Sequence, residues 1–454
     1  MGKPDVTGFR WRQCDNEVSR EQWGNPIEFL LSCIAMSVGL GNIWRFPFTA
    51  YENGGGAFLI PYLIVLFIIG RPLYYMELCM GQFASYGSVK VWAMVPAFRG
   101  YGQAIVTWCI VTYYVSLMSL TVFYLIVSFF PTLPWASCNG EPYCYDATTN
   151  LSHVEDLSNF HPAAEIYFQK VVNTHPGGLD EGIHPPDWKL ALCLLFSWII
   201  LSLILIKGVK SSGKSAYFTA LFPYVVLIIM LGRGASLPGA VDGVWFFIKP
   251  DWEKVFSATV WFRAIGQSFF SLTVGFGPII MFSSYNDFRH NLYRDVTIIS
   301  MVDTLTSFLA GLTIFGILGH LAHETGLPVS KVISRGGSGL AFISYPDVLS
   351  RFEVVPQLFA VLFFLMLFTL GVGSASALTG CVITVITDKF QNNLVIFVLA
   401  SLEVVAVTYV YGMKNFIRDI EFMLQRRTEL LLELFRMESQ VEDMSSKEDQ
   451  LVRF

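Results

Sequence analysis

Charge is what this chain has least of. Asp, Glu, Lys and Arg make up 14% of its 454 residues, while hydrophobic residues make up 54%, and the mean hydropathy is +0.53. A soluble globule carries roughly a quarter of its residues charged. The shortage excludes that class and leaves a polytopic membrane protein. Positive charge is not in excess either. A net charge of -5 excludes a nucleic-acid partner, which needs a basic surface. Met1–Gly24 is polar and lacks the apolar core of a cleavable signal peptide.

Enzyme signatures are equally sparse. Gly208-Val209-Lys210-Ser211-Ser212-Gly213-Lys214-Ser215 fits the phosphate-loop pattern letter for letter. That chemistry needs a buried strand before the loop and a helix after it, inside a nucleotide-binding α/β domain. Here one apolar segment precedes it and another follows at once, with no room for such a domain, so the chain is read as no enzyme. The glycine-rich Arg335–Gly339 is read as a flexible turn. Glu421–Met444 is read as a charged tail rather than an amphipathic helix for a partner.

Nine apolar segments reach spanning length, near 26–50, 57–80, 104–130, 189–206, 216–232, 258–283, 293–318, 355–386 and 394–411. Basic residues cluster on alternate sides. Lys3, Arg10, Arg12 and Arg20 precede the first segment, and Lys90 and Arg99 follow the second. Lys207, Lys210 and Lys214 follow the fourth, and Arg289 and Arg294 the sixth. The positive-inside rule makes these cytoplasmic, with the N-terminus. The segment 131–188 then falls outside. It carries Cys138 and Cys144, which suit a disulfide, and the glycosylation acceptor Asn150-Leu151-Ser152. Both fit a multi-pass protein of the plasma membrane. The other six cysteines are read as packing thiols.

Two segments are broken alike by glycine: Ser37-Val38-Gly39-Leu40-Gly41-Asn42 and Leu272-Thr273-Val274-Gly275-Phe276-Gly277. In lipid each unpaired backbone group of an unwound turn costs several kcal/mol unless something polar meets it. The freed N–H groups suit a carboxylate and the freed C=O groups suit a cation. A zwitterionic amino acid needs both, and a matched pair of breaks points to a transporter's binding site.

The first break continues as Val38-Gly39-Leu40-Gly41-Asn42-Ile43-Trp44-Arg45-Phe46-Pro47, followed by Glu52-Asn53-Gly54-Gly55-Gly56-Ala57-Phe58. With Tyr113-Tyr114-Val115 and Gly266-Gln267-Ser268-Phe269-Phe270-Ser271-Leu272, these stretches resemble the neurotransmitter:sodium symporter (solute carrier 6) family. The branch they most resemble is the insect-type sodium-dependent nutrient amino-acid transporters. The resemblance runs over residues 20–390, with a shorter match at 394–424. It implies an all-α polytopic membrane protein with the inverted-repeat fold of the bacterial leucine transporter type, in which the first and sixth helices are broken. It divides the chain into a cytoplasmic segment 1–25, a transporter core 26–390 holding helices 1–8, a remnant of helix 10 at 391–424 and a polar tail 425–454. The implied function is sodium-coupled symport of neutral amino acids.

Residue by residue, the resemblance puts Gly39, Leu40 and Gly41 under the substrate carboxylate, with the Tyr114 hydroxyl donating to it. The amine meets carbonyls of Phe270, Ser271 and Thr273. Ile110, Phe270, Phe276, Ala375 and Leu378 wall a roomy, uncharged side-chain pocket; without the resemblance these apolar residues read as helix packing. Monoamine carriers have aspartate at the position of Gly39. Glycine leaves room for a carboxylate instead, which favours amino acids with bulky neutral side chains.

The first sodium site takes Ser37, Asn42, Ser271 and Asp303. Most of the family has asparagine at the last position, and the extra carboxylate implies looser cation choice, with potassium admitted. The second sodium site takes Ala35, Val38, Leu370 and Ser374, and Gly373 removes a further ligand there. Tyr62, Gln267, Ser271 and Ser307 match a chloride site, whose dependence Asp303 is expected to weaken. Arg20, Trp23, Tyr285 and Asp388 match the inner gate, and Arg45 the outer one. Glu403 is expected near Glu77.

The chain departs from the family after Asp388. Helix 9, the start of helix 10, and helices 11 and 12 have no match in it. The rival expectation is therefore a truncated, non-transporting isoform, retained inside the cell or acting on a full-length sibling. A homo-oligomer or sibling carrier is then the protein partner, beside the amino-acid substrate and the bilayer.

Overall fold

The first helix, α1 (Pro26–Ser37), starts where its orphan amides find partners. Asn25 Oδ1 accepts from the Ile27 N–H at 3.0 Å, and Pro26 needs no partner at the first position. The helix ends as Val38 leaves helical geometry at φ -82°, ψ 89°. It resumes as α2 (Gly41–Glu52), bent 44° from α1. The first turn of α2 is a π turn, closed by the Phe46 N–H on the Gly41 carbonyl. At about 1.5 Å per residue, neither half alone spans a hydrocarbon core of roughly 30 Å; together they do.

In this computed structural model the described residues are 22–95, 101–138, 144–146, 161–172, 187–326, 339–352 and 355–390, with the single positions 140 and 329. The chain separates into two compact units, Met1–Asp388 and Lys389–Phe454. The expected span at 394–411, Glu403 and the tail lie outside the described residues, as do Arg20 and Asn150.

The second span is α3 (Gly56–Ala84), with a π turn at Leu66–Gly70. Then come α4 (Tyr101–Val127), the loop helix α5 (Ala163–Val172), α6 (Trp188–Leu205), α7 (Val209–Ala235) and α8 (Ala240–Ile248). The sixth expected span is α10 (Pro278–Ser283) preceded by α9 (Ala258–Leu272), with an irregular turn between them. The rest are α11 (Leu292–Thr325), α12 (Tyr345–Ser350) and α13 (Pro356–Phe390).

Six helices of the described residues are long and apolar enough to cross a membrane, or seven if the bent pair counts as one span. The expectation was nine. The difference lies in 394–411, which is not described, and in 258–283, whose two pieces are each too short alone. The fifth span also starts earlier than hydropathy suggested. The basic stretch after Gly208 is helical, with Gly208 at φ 61° turning the chain from α6 into α7. The phosphate-loop motif is thus a helix–helix corner with no strand before it, and a β-carbon on Gly213 would lie 3.1 Å from Glu28 and Trp23.

The fold is not wholly helical. In the loop between α4 and α6, Cys144–Tyr145 pairs in parallel with His161–Pro162 as two short strands. Cys138 and Cys144 are disulfide-bonded there, with a S–S distance of 2.13 Å.

Small residues set the closest helix approach. A β-carbon on Gly243 of α8 would fall on the Phe315 carbonyl and the Gly319 backbone of α11. Backbones meet this closely only where side chains are missing. Replacing Gly243 with valine is expected to destabilise the fold by at least about 1–3 kcal/mol. The expected readout is a lower unfolding temperature of the purified protein and loss of its monodisperse peak on size exclusion.

Candidate functional site

The first break is held by side chains. The Gly39 N–H donates to Asn42 Oδ1 at 3.1 Å, and the Leu40 N–H donates to the Tyr114 hydroxyl at 3.1 Å. Gly39 has no room for a side chain, since a β-carbon would lie 2.6 Å from Ser374 Oγ and 2.9 Å from the Tyr114 oxygen.

The second break, between α9 and α10, needs left-handed backbone at Thr273 (φ 59°), Gly275 (φ 88°) and Gly277 (φ 101°). Glycine adopts it freely and threonine does so under strain. The freed groups are met from two other spans. Gly275 donates its N–H to Glu77 Oε1 of α3 at 3.0 Å. From α4, Gln103 Nε2 donates to the Gly275 carbonyl at 2.8 Å, and Thr107 Oγ1 to the Phe276 carbonyl at 2.5 Å.

Sequence reasoning assigned none of these three to the site. Glu77 carried a usable signal, a carboxylate inside an apolar span. Gln103 and Thr107 carried none, being separated from their partners by 172 and 169 residues.

A small cavity of about 30 Å³ lies where the two breaks meet. Of the residues expected to hold substrate, Gly39, Gly41, Ile110, Tyr114, Phe270, Ser271, Thr273, Phe276 and Leu378 line it. Leu40 and Ala375 do not. Both are buried, and the Leu40 N–H is already taken by Tyr114. Tyr114 accepts this bond through its oxygen, which does not use the O–H it was expected to donate to a substrate. Nor is the cavity roomy, because Phe270 and Phe276 meet edge to face at 6.3 Å across it. Met36 and Ser374 line it in addition.

Beside the cavity sits a cluster of polar groups on three spans. Asn42 Nδ2, with two protons to give, lies 2.8 Å from Asp303 Oδ1, 2.9 Å from Ser307 Oγ and 3.3 Å from Ser271 Oγ. Ser271 Oγ lies 2.9 Å from both Asp303 oxygens. Asp303 is wholly buried, and its hydrogen-bond partners, Asn42 and Ser271, are neutral. A carboxylate in such surroundings calls for a cation or a proton. Asn42 and Ser271 of this cluster also line the cavity, so cluster and cavity share a wall; Ser37 lines the cavity as well. Tyr62 and Gln267 are buried close by. Among the described residues neither amide atom of Gln267 has a hydrogen-bond partner, and its Nε2 N–H and the Tyr62 O–H are donors of the kind an anion would need.

Of the second cation set, Ser374 Oγ donates to the Met36 carbonyl at 3.0 Å, and a β-carbon on Gly373 would lie 2.7 Å from the Ala35 carbonyl. Glycine at 373 thus lets α13 close on α1. Val38 and Leu370 are buried in the same core. Just ahead of α1, Trp23 donates its ring N–H to the Phe282 carbonyl at 2.9 Å and its backbone N–H to the Tyr285 carbonyl at 3.2 Å. The side chain of Asp388 lies outside the described residues. Arg45 stacks on Phe270, 4.2 Å from the ring centre.

Removing a buried partner from a freed carbonyl costs about 1–3 kcal/mol. Gln103→Leu and Thr107→Val should each speed hydrogen exchange of the amides at 273–277 by about fivefold or more. Mass spectrometry on that peptide measures it; unchanged exchange would mean that the turn does not depend on these bonds.

The sequence profile of the sodium:neurotransmitter symporter family matches residues 20–395. The sodium-dependent nutrient amino acid transporter 1 of Drosophila pseudoobscura pseudoobscura is 48% identical over 470 residues, covering 91% of this chain and 72% of its own. Its counterpart in Drosophila grimshawi is 49% identical over 468 residues, covering 91% and 74%. That of Drosophila melanogaster is 48% identical over 474 residues, covering 90% and 74%. These alignments are longer than the stretch of this chain that they cover, so the relatives carry residues inside the matched region that this chain lacks. A transporter rather than an enzyme, the chain belongs to the sodium:neurotransmitter symporter family.

Proposed function

We propose that the chain carries neutral amino acids across the plasma membrane by sodium-coupled symport, with its N-terminus in the cytoplasm. One observation carries this: the cavity at the two helix breaks shares Asn42 and Ser271 with a cluster built on a buried carboxylate. A zwitterion between the breaks and a cation at Asp303 would then touch the same residues. Each would favour the binding of the other, which is what coupling requires. The names of the relatives, sodium-dependent nutrient amino acid transporters, agree with this reading.

Gly39 supports amino acid over monoamine. Aspartate there would carry its β-carbon into Ser374 Oγ and Tyr114. The substrate set is Gly39, Gly41, Tyr114, Ser271 and Thr273 around the polar end, with Ile110, Phe270, Phe276 and Leu378 as walls. The tight cavity corresponds to a closed arrangement that bulky side chains enter only by moving Phe276 or Leu378. Ala35, Val38, Leu370 and Ser374 are the second sodium set, weakened by Gly373. Trp23 and Tyr285 belong to the inner gate and Arg45 to the outer one.

One charge crossing 100 mV is worth about 2.3 kcal/mol, and a tenfold accumulation costs about 1.4 kcal/mol. One coupled cation therefore sustains roughly fortyfold accumulation from voltage alone.

Expressed at the cell surface, the chain should show uptake of neutral amino acids with an inward current that requires sodium. Gly39→Asp should lower that uptake at least about tenfold, because strain and charge act together. A surface-expressed chain with no substrate-induced current overturns the reading.

Asp303 makes the first cation site more anionic than an asparagine would. Potassium should therefore support a measurable part of the uptake, and Asp303→Asn should shift selectivity towards sodium. Equal Na⁺/K⁺ selectivity in the two proteins would sink the idea. The same charge should leave most uptake intact when gluconate replaces chloride, whereas complete loss would assign the anion set of Tyr62, Gln267, Ser271 and Ser307 an obligatory role.

A further inference from the structure

The second span carries a cation that the proposed transport cycle does not use. Arg71 follows the π turn of α3, and its own N–H closes that turn on the Leu66 carbonyl, five residues back. Extra-residue turns of this kind re-aim a side chain and recur at functional sites. The preceding Gly70 faces the sixth span, where a β-carbon would lie 2.6 Å from Ser268 Oγ. Arg71 points elsewhere, along the groove towards the first turns of α11.

The surroundings of that groove are apolar and exposed. Phe67, Ile68 and Tyr75 of α3 are 40%, 68% and 39% exposed, and Tyr293 and Met301 of α11 are 65% and 53% exposed. Arg71 stands near the middle of the 29-residue α3, but its guanidinium reaches α11 at Thr297, in the second turn of that 34-residue helix and so close to its end; apolar surface on both sides there is surface turned to lipid.

The partners of the guanidinium are neutral. Nη2 donates to Thr297 Oγ1 at 2.5 Å, and Cζ lies 5.5 Å from the centre of the Tyr293 ring. Tyr75 meets that ring edge-on at 6.3 Å. Thr297 gives its own hydroxyl proton to the Tyr293 carbonyl at 2.9 Å, so it offers Arg71 a lone pair and no charge. Asp295, two residues before Thr297, is engaged by His290 at 2.6 Å and Arg294 at 3.5 Å. Among the described residues no carboxylate pairs with Arg71. A guanidinium has five donors, and an uncompensated charge beside hydrocarbon is costly.

We propose that Arg71, steadied by Thr297 and Tyr293, binds the phosphodiester of an anionic phospholipid in the groove between α3 and α11. Arginine suits phosphate because its planar fork donates two parallel hydrogen bonds. The groove opens on apolar surface rather than on a loop, so the phosphate arrives on a lipid. In the proposed orientation the lipid belongs to the cytoplasmic leaflet; that assignment rests on the functional reading, and the binding itself does not.

The test uses the full chain purified in neutral detergent. Lipid binding is followed by native mass spectrometry, and stability by the unfolding temperature. Dioleoyl phosphatidylglycerol, dioleoyl phosphatidylcholine and inorganic phosphate are titrated separately. Wild type should prefer the anionic phosphatidylglycerol over phosphatidylcholine by about fivefold, the worth of one basic residue at a lipid surface, and phosphatidylglycerol should raise its unfolding temperature. Arg71→Gln should remove the preference and Arg71→Lys should keep most of it. Thr297→Val and Tyr293→Leu should each reduce it, and they decide the matter if Arg71→Gln does not fold. An undiminished preference in Arg71→Gln, or in both partner variants, overturns the proposal. So does an equal response to inorganic phosphate, which would make the site a water-facing anion site. The readout is binding, so a failure of amino-acid uptake would count against the proposed function and leave this inference standing.

Discussion

A backbone amide in hydrocarbon must find a partner, and most of the site's architecture is a consequence of that requirement. Two spans are unwound near their middles, and each unwound turn is tolerated because polar side chains from other spans reach it. Asn42 and Tyr114 serve the first break. Glu77, Gln103 and Thr107 serve the second. The groups that keep the breaks stable also place them face to face, and the cavity is what remains between them. Removing any of these side chains would therefore act on stability and on the site together.

The second constraint is one of charge. Asp303 is buried among Asn42 and Ser271, and neither offers it a positive charge. Such a carboxylate is costly unless a cation visits it. In a carrier this cost is useful, because it is relieved only when the ion is present. Arg71 is the opposite case on the outside of the helices. It is a cation whose protein partners are neutral, and its counter-charge has to come from the surroundings. Both residues stand in apolar spans, where an ionisable group is the exception.

Glycine decides the close contacts. Gly39 leaves the Ser374 and Tyr114 oxygens accessible at the break, Gly373 lets α13 close on α1, and Gly243 and Gly319 let α8 lie against α11. Each is a place where a β-carbon would displace backbone or a bonded side chain. The departure from family pattern at Gly373 thus has a packing reason beside its effect on a ligand set.

Much of this was legible from residues alone. Hydrophobic runs mark spans because bilayer thickness sets their length. Paired glycine motifs mark breaks because glycine adopts the left-handed turns at 275 and 277 and, at 39, leaves space that a side chain would fill. The loop cysteines did pair. What could not be read is which distant side chains meet the freed backbone groups. Gln103 and Thr107 look like ordinary polar residues of an apolar helix until α4 is packed against the sixth span. Nor could sequence say that the Leu40 amide is already spent on Tyr114, or that the cavity is tight. The sequence by itself determined where the chain enters the membrane, where it unwinds and which residue types are there to bind. Only the tertiary structure decided which of them share a wall, because hydrogen bonds between spans depend on how the helices pack and not on the order of residues along any one of them.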